Sequence, residues 1–136
     1  MKFSTKSRYG LRVMMDLAQC GSQDFVALKD LAASREISVK YLEQIMAQLC
    51  KAGFVHSVRG PAGGYKLARE PKDYTAGEII RLFEGKLAPI NCLEDDRNLC
   101  PRLGECTVVH FWEGLYSAVN DYVNSVTLAD LVGKKA

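Results

Sequence analysis

The sequence predicts a mainly α-helical protein, in which a winged helix-turn-helix region precedes a long C-terminal helix. Two short helical segments are separated by only a few residues, alternating strand-like residues flank a glycine-rich turn, and the last long segment is apolar along much of its surface. We divide the chain into a winged helix-turn-helix region at 1–85, a cysteine-rich loop at 86–106, and a C-terminal helix with its tail at 107–136.

The first three helices are predicted from apolar periodicity between capping residues. The first begins at Ser4 or Thr5 and stops at Gly21, and the second fits 27–34. The third begins after Ser38, an N-cap residue, and ends at Gly53. Its predicted apolar side consists of Tyr41, Leu42, Ile45, Met46, Leu49 and Cys50. Helices two and three are close enough in sequence to form a helix-turn-helix.

A β-hairpin, or wing, is predicted at 54–68, since alternating residues flank the turn Gly60–Gly64. Thr75 and Glu78 form a capping box for a fourth helix that stops at Gly85. A last helix runs from Thr107 to Ser125. Its broad apolar face consists of Val108, Phe111, Trp112, Leu115, Val119, Tyr122 and Val123. We expect this face to pack against a second copy, which makes the protein a homodimer; folding back onto its own domain is the alternative.

Charge is distributed unevenly along the chain. Residues 1–72 hold twelve Lys or Arg and six Asp or Glu, a net charge of +6, whereas 73–136 hold six and ten, a net charge of −4. A basic half beside an acidic half is expected if only the first half faces DNA. The N-terminus lacks the apolar core of a secretory signal, and no run of about 18 apolar residues occurs. We therefore expect a cytoplasmic protein with no membrane contact.

The N-terminal part of the third helix is predicted to enter the major groove of double-stranded DNA. Gln44 can pair with adenine, Glu43 can accept from the amino group of cytosine, and Lys40 can reach guanine or a phosphate. A carboxylate facing a polyanion favours discrimination between sequences over affinity. In the wing, Arg59 can enter a narrow minor groove, and Lys66 and Arg69 can hold phosphates. The candidate DNA contacts are Ser38, Lys40, Tyr41, Glu43, Gln44, Ser57, Arg59, Gly60 and Pro61.

Three of the five cysteines lie within one loop. Cys92, Cys100 and Cys106 are separated by seven and five residues, and His110 follows four positions after Cys106. Thiolates gathered in one loop favour zinc, copper(I) or an iron–sulfur cluster. Structural zinc sites usually contain a Cys-x-x-Cys pair, which is absent here, so the spacing favours a cluster over zinc. Cys20 and Cys50 fall at apolar helix positions and are predicted to be buried.

Several stretches resemble the IscR-type iron–sulfur cluster regulators, a winged-helix family that includes IscR, NsrR and CymR. They are Ser4–Gly10, Ile37–Gln44 and above all Val58–Tyr65. The resemblance covers nearly the whole chain. It implies a homodimeric transcription factor whose third helix and wing read DNA, whose long C-terminal helices cross at the dimer interface, and whose cysteine loop ligates a cluster that tunes operator choice.

Cys92, Cys100 and Cys106 fall where cluster-binding members of this family place three thiolates, whereas CymR-like members lack them. The resemblance implies a [2Fe–2S] cluster, with [4Fe–4S] as the NsrR-like alternative. The first cysteine gap is longer than the usual five residues, and His110 lies one position further along than in the IscR pattern. His110 is the first candidate for the fourth ligand, and the alternatives are Glu105, Asp95, Asp96 or a group from a partner chain.

The expected function is DNA-binding regulation tuned by an iron–sulfur cluster, with iron–sulfur biogenesis genes as targets and the assembly machinery as a candidate partner. The alternatives are a nitric-oxide or redox-sensing repressor of the NsrR type, a zinc-stabilised winged-helix regulator, and a metal carrier that does not bind DNA. An enzyme is not expected, because His56 and His110 are the only histidines and no nucleophile can be paired with a base.

Overall fold

The computed structural model describes residues 2–21 and 24–133. It is mainly helical with one small antiparallel hairpin, as the sequence predicts. Short 3₁₀ turns lie at Pro71–Asp73, Asn91–Leu93 and Leu103–Glu105. The principal elements are α1 (Thr5–Gln19), α2 (Leu28–Arg35), α3 (Val39–Lys51), β1 (Val55–Val58), β2 (Gly64–Leu67), α4 (Ala76–Glu84), α5 (Val109–Ser125) and α6 (Leu128–Leu131).

The core lies where α1, α2 and α3 meet the hairpin, α4 and α6. Its buried side chains are Val13, Met14, Leu17, Leu31, Ala32, Leu42, Ile45, Met46, Leu49, Val55, Leu67, Tyr74, Ile79 and Leu128. Cys50 packs against this core, as predicted, but Cys20 is exposed. The prediction for Cys20 is wrong because α1 ends at Gln19, which leaves Cys20 as the C-cap residue.

Tyr74 ties the base of the wing to the core. Its side chain is fully buried, and its hydroxyl donates to the carbonyl oxygen of Phe54 at 2.6 Å. The phenol oxygen of Tyr74 in turn accepts from the backbone nitrogens of Ala68 and Arg69, each at 3.0 Å. Phe54 precedes β1, and Ala68 follows β2, so one phenol joins both open ends of the hairpin. Every polar atom of the group is thereby satisfied, as a buried phenol requires.

The C-terminal segment returns to the winged-helix core through a short helix that the sequence did not reveal. Thr127 and Asp130 form a capping box for α6, whose Leu128 is fully buried. The backbone nitrogen of Leu128 donates to the carbonyl of Tyr74 at 3.0 Å, and that of Ala76 donates to the carbonyl of Val126 at 2.8 Å. Four residues are too few to show a helical period, and for this reason α6 was missed.

The apolar face of α5 is divided between two environments. Val109 and Val123 are buried, and Arg81 of α4 donates to the side-chain oxygens of Asn120 and Asn124, each at 2.7 Å. The helix begins at Val109, two residues later than expected. A second strip remains exposed, at spacings of three and four residues. It consists of Val108, Phe111, Leu115, Ala118 and Tyr122, and is called the α5 strip below.

Candidate functional site

Helix α3 presents a polar surface at its N-terminal half. The Ser38 hydroxyl accepts from the backbone nitrogen of Tyr41 at 3.1 Å, which caps the helix. Four apolar side chains of α3 are buried, and this orientation leaves Lys40, Glu43 and Gln44 exposed on the opposite side. The three residues predicted to reach base edges therefore lie together on one accessible face, in the first turns of the helix.

Tyr41 occupies a different environment from its neighbours on α3. It is half-buried, and its ring meets that of Tyr9 on α1 edge to face, with 6.1 Å between centroids. The ring therefore packs α3 onto α1. The sequence predicted Tyr41 both on the apolar side of this helix and as a candidate DNA contact. Its partner Tyr9 was not predicted, because only the tertiary structure brings the two rings together.

The wing ends in a tight turn that exposes Arg59, Gly60 and Pro61. The backbone nitrogen of Gly63 donates to the carbonyl of Gly60 at 2.9 Å. A Cβ atom added at Gly63 would lie 2.1 Å from the carbonyl oxygen of Val58. Only glycine fits at this position, and the close approach of the two strand ends brings Arg59 to the tip of the hairpin.

A backbone bridge fixes the wing against the segment that precedes α2. Val26 and Tyr65 exchange two hydrogen bonds of 2.8 Å. Gly64 has φ +153°, and a Cβ atom there would lie 2.3 Å from the carbonyl oxygen of Val26. The glycine therefore permits the bridge, and the bridge sets the position of the wing relative to the helix-turn-helix.

A cleft of about 500 Å³ lies between the wing and the start of α2 and has a basic lining. Lys29 and Arg59 are its cationic residues, and Ser57 and Tyr65 contribute polar groups. Ala27, the N-cap of α2, offers no side-chain acceptor to the first-turn N–H groups. A helix N-terminus beside two cations suits a phosphate. Lys29 was not among the predicted DNA contacts, because only the tertiary structure brings the start of α2 beside Arg59.

Ser57 contacts α3 as well as the cleft. Burial raises the pKa of the Cys50 thiol, and a hydrogen bond with Ser57 partly opposes this rise. A thiol with a raised pKa stays protonated at neutral pH. Cys50 therefore acts as a neutral packing group between α3 and β1.

Lys66 on β2 and Arg69 just beyond it, the two residues predicted to hold phosphates, have partners within the domain. The ammonium of Lys66 lies 4.8 Å from the ring centroid of Phe25. The guanidinium of Arg69 lies 4.3 Å from the centroid of Tyr74, bonds to Glu78 at 3.0 Å, and donates to the carbonyl of Asp73 at 3.0 Å. Arg69 therefore has partners within the domain, although its side chain stays partly exposed, and its contact with a phosphate stays a prediction.

The cysteine loop is anchored at its start. A Glu84 carboxylate oxygen at the end of α4 accepts from the backbone nitrogen of Ser4 and the hydroxyl of buried Ser7, both at 2.6 Å. Hydrogen bonding with the Ser4 side chain, and then with the Ser7 side chain, lowers the pKa of the Glu84 carboxyl, and the Ser4 backbone bond adds a smaller effect. Leu87 is buried just beyond, and Lys86 bridges to Asp96 at 3.0 Å. The loop therefore begins from a fixed point on the winged-helix region.

The three loop cysteines have free thiols. Cys92 and Cys100 are half-buried, and Cys106 is exposed. Turn hydrogen bonds connect the last two: the backbone nitrogen of Leu103 donates to the carbonyl of Cys100 at 3.1 Å, and that of Cys106 donates to the carbonyl of Leu103 at 3.3 Å. The thiols therefore lie on one segment with little regular structure, between α4 and α5.

His110 lies in the first turn of α5 with a side chain 92% exposed, and its Nδ1 is 3.1 Å from a carboxylate oxygen of Glu113. Within 2–21 and 24–133, no three His, Cys, Asp or Glu side chains are grouped closely enough to hold a metal ion.

The donor set fits an iron–sulfur centre chemically, since three thiols share one segment. A buried amide nitrogen without a partner, Asn98 Nδ2, lies in the same segment. Loading would have to draw the donors together, as is common where binding and ordering are coupled.

Comparison with known proteins identifies the family. Residues 3–134 match the family model of Rrf2, described as an iron-dependent transcriptional regulator. The chain belongs to the Rrf2 family. Among Rrf2-related proteins, the regulator CymR of Bacillus subtilis is 41% identical over 96% of this chain and 89% of its own. The regulator IscR of Vibrio campbellii is 34% identical, over 97% and 77% respectively.

Solved structures agree with this assignment. The structure of B. subtilis CymR, described as the global cysteine regulator of that organism, superposes with a TM-score of 0.82 at 38% identity, covering 100% of this chain and 99% of the other. That of T. potens IscR gives a TM-score of 0.75 at 40% identity, covering 96% and 85%. These matches confirm the winged-helix fold, and the Rrf2 assignment makes the chain a helix-turn-helix transcriptional regulator and not an enzyme.

No helix in the described part of this Rrf2 chain combines the length and apolar character that a membrane span requires.

Proposed function

We propose that this Rrf2 protein is a homodimeric regulator whose operator choice is tuned by an iron–sulfur cluster on Cys92, Cys100 and Cys106. The observation that carries the proposal is the position of three free thiols on one loop between α4 and α5. We favour [2Fe–2S] over [4Fe–4S], His110 as the fourth ligand, and iron–sulfur biogenesis genes as targets. The iron-dependent description of the matching family supports an iron centre over zinc.

The α5 strip supports the homodimer. Its five residues follow one another at intervals of three or four residues, so they form one continuous row along the helix. Helices that pack against each other along their length show this pattern. Phe111 is 66% exposed and Tyr122 is 70% exposed. Large apolar side chains in one row are typical of an interaction surface. A second copy is the fitting partner, because regulators of this fold bind DNA half-sites related by two-fold symmetry.

The DNA interface in this proposal has three parts. Lys40, Glu43 and Gln44 read base edges from α3, Arg59 enters the minor groove from the wing tip, and the basic cleft beside Lys29 holds a phosphate. Ser38 contributes by capping the helix, and Ser57 by its contact with Cys50. The two copies of this interface would lie on one side of the dimer.

Coupling between the cysteine loop and DNA would pass through α4 and α5. The loop starts at Glu84, whose carboxylate is bonded to the start of α1, and ends at α5, which Arg81 fastens to α4. Ordering of the loop would therefore act on the junction between α5 and the winged-helix region. The bound centre would supply the iron-dependent or redox-dependent signal. It can change the DNA affinity only by the difference between its own affinities for the two arrangements of the protein, typically about 1–3 kcal/mol.

The first test is anaerobic reconstitution of the full chain with iron and sulfide. We expect wild type to gain visible charge-transfer absorption with bound iron and acid-labile sulfide, because thiolates are the usual cluster ligands. Cys92→Ala should lose this absorption. Cys20→Ala removes an exposed thiol outside the loop and should retain it. A colourless wild type that carries zinc would overturn the cluster and favour a zinc-stabilised regulator, whereas loss of the absorption on nitric oxide addition would favour the NsrR-type sensor.

Glu43 is expected to control which operators the apo and loaded forms bind. It is exposed on α3, where a carboxylate near DNA disfavours every site that offers it no donor. We expect Glu43→Ala to bind operators that wild-type apo protein rejects, by about 1–3 kcal/mol each. Fluorescence anisotropy against a panel of duplexes, with loaded and unloaded protein, measures the change. Equal selectivity of the variant and wild type would exclude a role for Glu43 in discrimination.

A further inference from the structure

Asn98 lies in the cysteine loop and is bonded to the backbone of a proposed ligand. Its Oδ1 atom accepts from the backbone nitrogen of Cys100 at 2.9 Å. The backbone N–H can only donate, so the amide atom that faces it must be the oxygen. This bond fixes the orientation of the whole side-chain amide and, with it, the position of the amide nitrogen.

The other end of the same amide has no partner. Asn98 Nδ2 is buried and makes no hydrogen bond with the described residues. A buried donor without an acceptor is unfavourable, and native structures rarely keep one without a reason. Since the oxygen is held by Cys100, the amide cannot flip to satisfy the nitrogen without breaking the first bond. An acceptor that arrives from outside the chain would remove this penalty.

We propose that Asn98 is a positioning residue for Cys100 and that its Nδ2 group donates a hydrogen bond to a sulfur of the bound iron–sulfur centre. The inference rests on the proposed cluster function. Hydrogen bonds to cluster and thiolate sulfurs raise the reduction potential of iron–sulfur centres, and outer partners orient the ligands themselves. Asn98 would thus hold the Cys100 backbone before loading and tune the centre afterwards.

The positioning role is tested in reduced, metal-free protein by mapping the rate at which each cysteine is alkylated. We expect Asn98→Ala to speed alkylation of half-buried Cys100 several-fold relative to Cys92, because the backbone loses its anchor. Asn91→Ala is the matched control, since Asn91 is exposed and adjoins Cys92 in the same loop. Equal Cys100 rates in wild type and Asn98→Ala would overturn the positioning role.

The donor role is tested in reconstituted protein by potentiometric titration followed by visible absorption or circular dichroism. Asn98→Asp keeps an oxygen for the Cys100 N–H but removes the Nδ2 donor, so we expect a more negative midpoint potential. Asn91→Asp adds the same charge beside Cys92 and should shift the potential less. Cluster content, measured as iron and sulfide per chain, separates a change in potential from a failure to load.

Two outcomes separate this inference from the proposed function. A wild-type protein that loads a cluster, with Asn98→Asp matching Asn91→Asp in potential, would overturn the donor role of Asn98 and leave the cluster function standing. A wild-type protein that takes up no iron and sulfide would overturn the cluster function and the donor role with it. The alkylation result then stands alone as a statement about Cys100 in the metal-free chain.

Discussion

Replacing Phe111 with glutamate is expected to convert the protein from dimer to monomer and to weaken operator binding about 100-fold or more, because two linked half-site contacts become independent. Phe111 is 66% exposed in the single chain and belongs to the α5 strip. A carboxylate within this apolar strip would have to be desolvated on association. Light scattering after size-exclusion chromatography measures the mass, and anisotropy with an operator selected by wild type measures affinity.

Ser117→Glu is the control for Phe111→Glu. Ser117 is exposed on α5 but lies outside the strip, so the variant carries the same added charge on the same helix and should remain dimeric. Thermal unfolding followed by circular dichroism should show that the Phe111→Glu chain stays folded, since the replaced ring is mostly solvent-exposed. A Phe111→Glu chain that stays dimeric with undiminished affinity would show that α5 is not the interface.

Gly64→Ala is expected to lower the free energy of unfolding by about 4 kcal/mol or more, among the largest effects of a single substitution. The added Cβ would lie 2.3 Å from the carbonyl oxygen of Val26, which is backbone and cannot rotate away. The substitution also places alanine at φ +153°, where side chains are strained. Both hydrogen bonds between Val26 and Tyr65 would have to break. Urea denaturation followed by circular dichroism measures the loss.

Gly60→Ala separates backbone strain from the clash at Gly64. Gly60 lies in the same hairpin at φ +112°, but a Cβ atom there meets nothing within 4 Å. We expect a cost of about 1–3 kcal/mol, from conformation alone. Gly64→Ala should also weaken operator binding, since it displaces the wing from α2. Equal stabilities for the two variants would indicate that the Val26 bridge does not constrain the wing.

The exposed face of α3 shows what periodicity can predict. The spacing of apolar residues at three and four positions on α3 predicted that Lys40, Glu43 and Gln44 would share one exposed face, and the structure places them so. Tyr41 and Arg69 show the limit. Their partners, Tyr9 and Tyr74, are determined by packing between elements, which a pattern along one segment does not encode.

The last helix shows the same limit on a larger scale. Its apolar residues were predicted as one broad face, but Arg81 and the close approach at Gly77 set its rotation, and so divided that face between α4 and solvent. The α5 strip became recognisable only after this rotation was known.

The sequence by itself determined the order of the first five helices, the wing and the cysteine loop, because capping residues, turn glycines and hydrophobic periods act locally along the chain. It also determined the chemistry of the candidate ligands, since three thiols within fifteen residues are a property of composition and spacing. Only the tertiary structure decided which polar groups are engaged: Arg69 inside the domain, Tyr74 across the wing, and Asn98 against Cys100. These contacts depend on how the chain folds between separate elements or along irregular segments, where no sequence period exists.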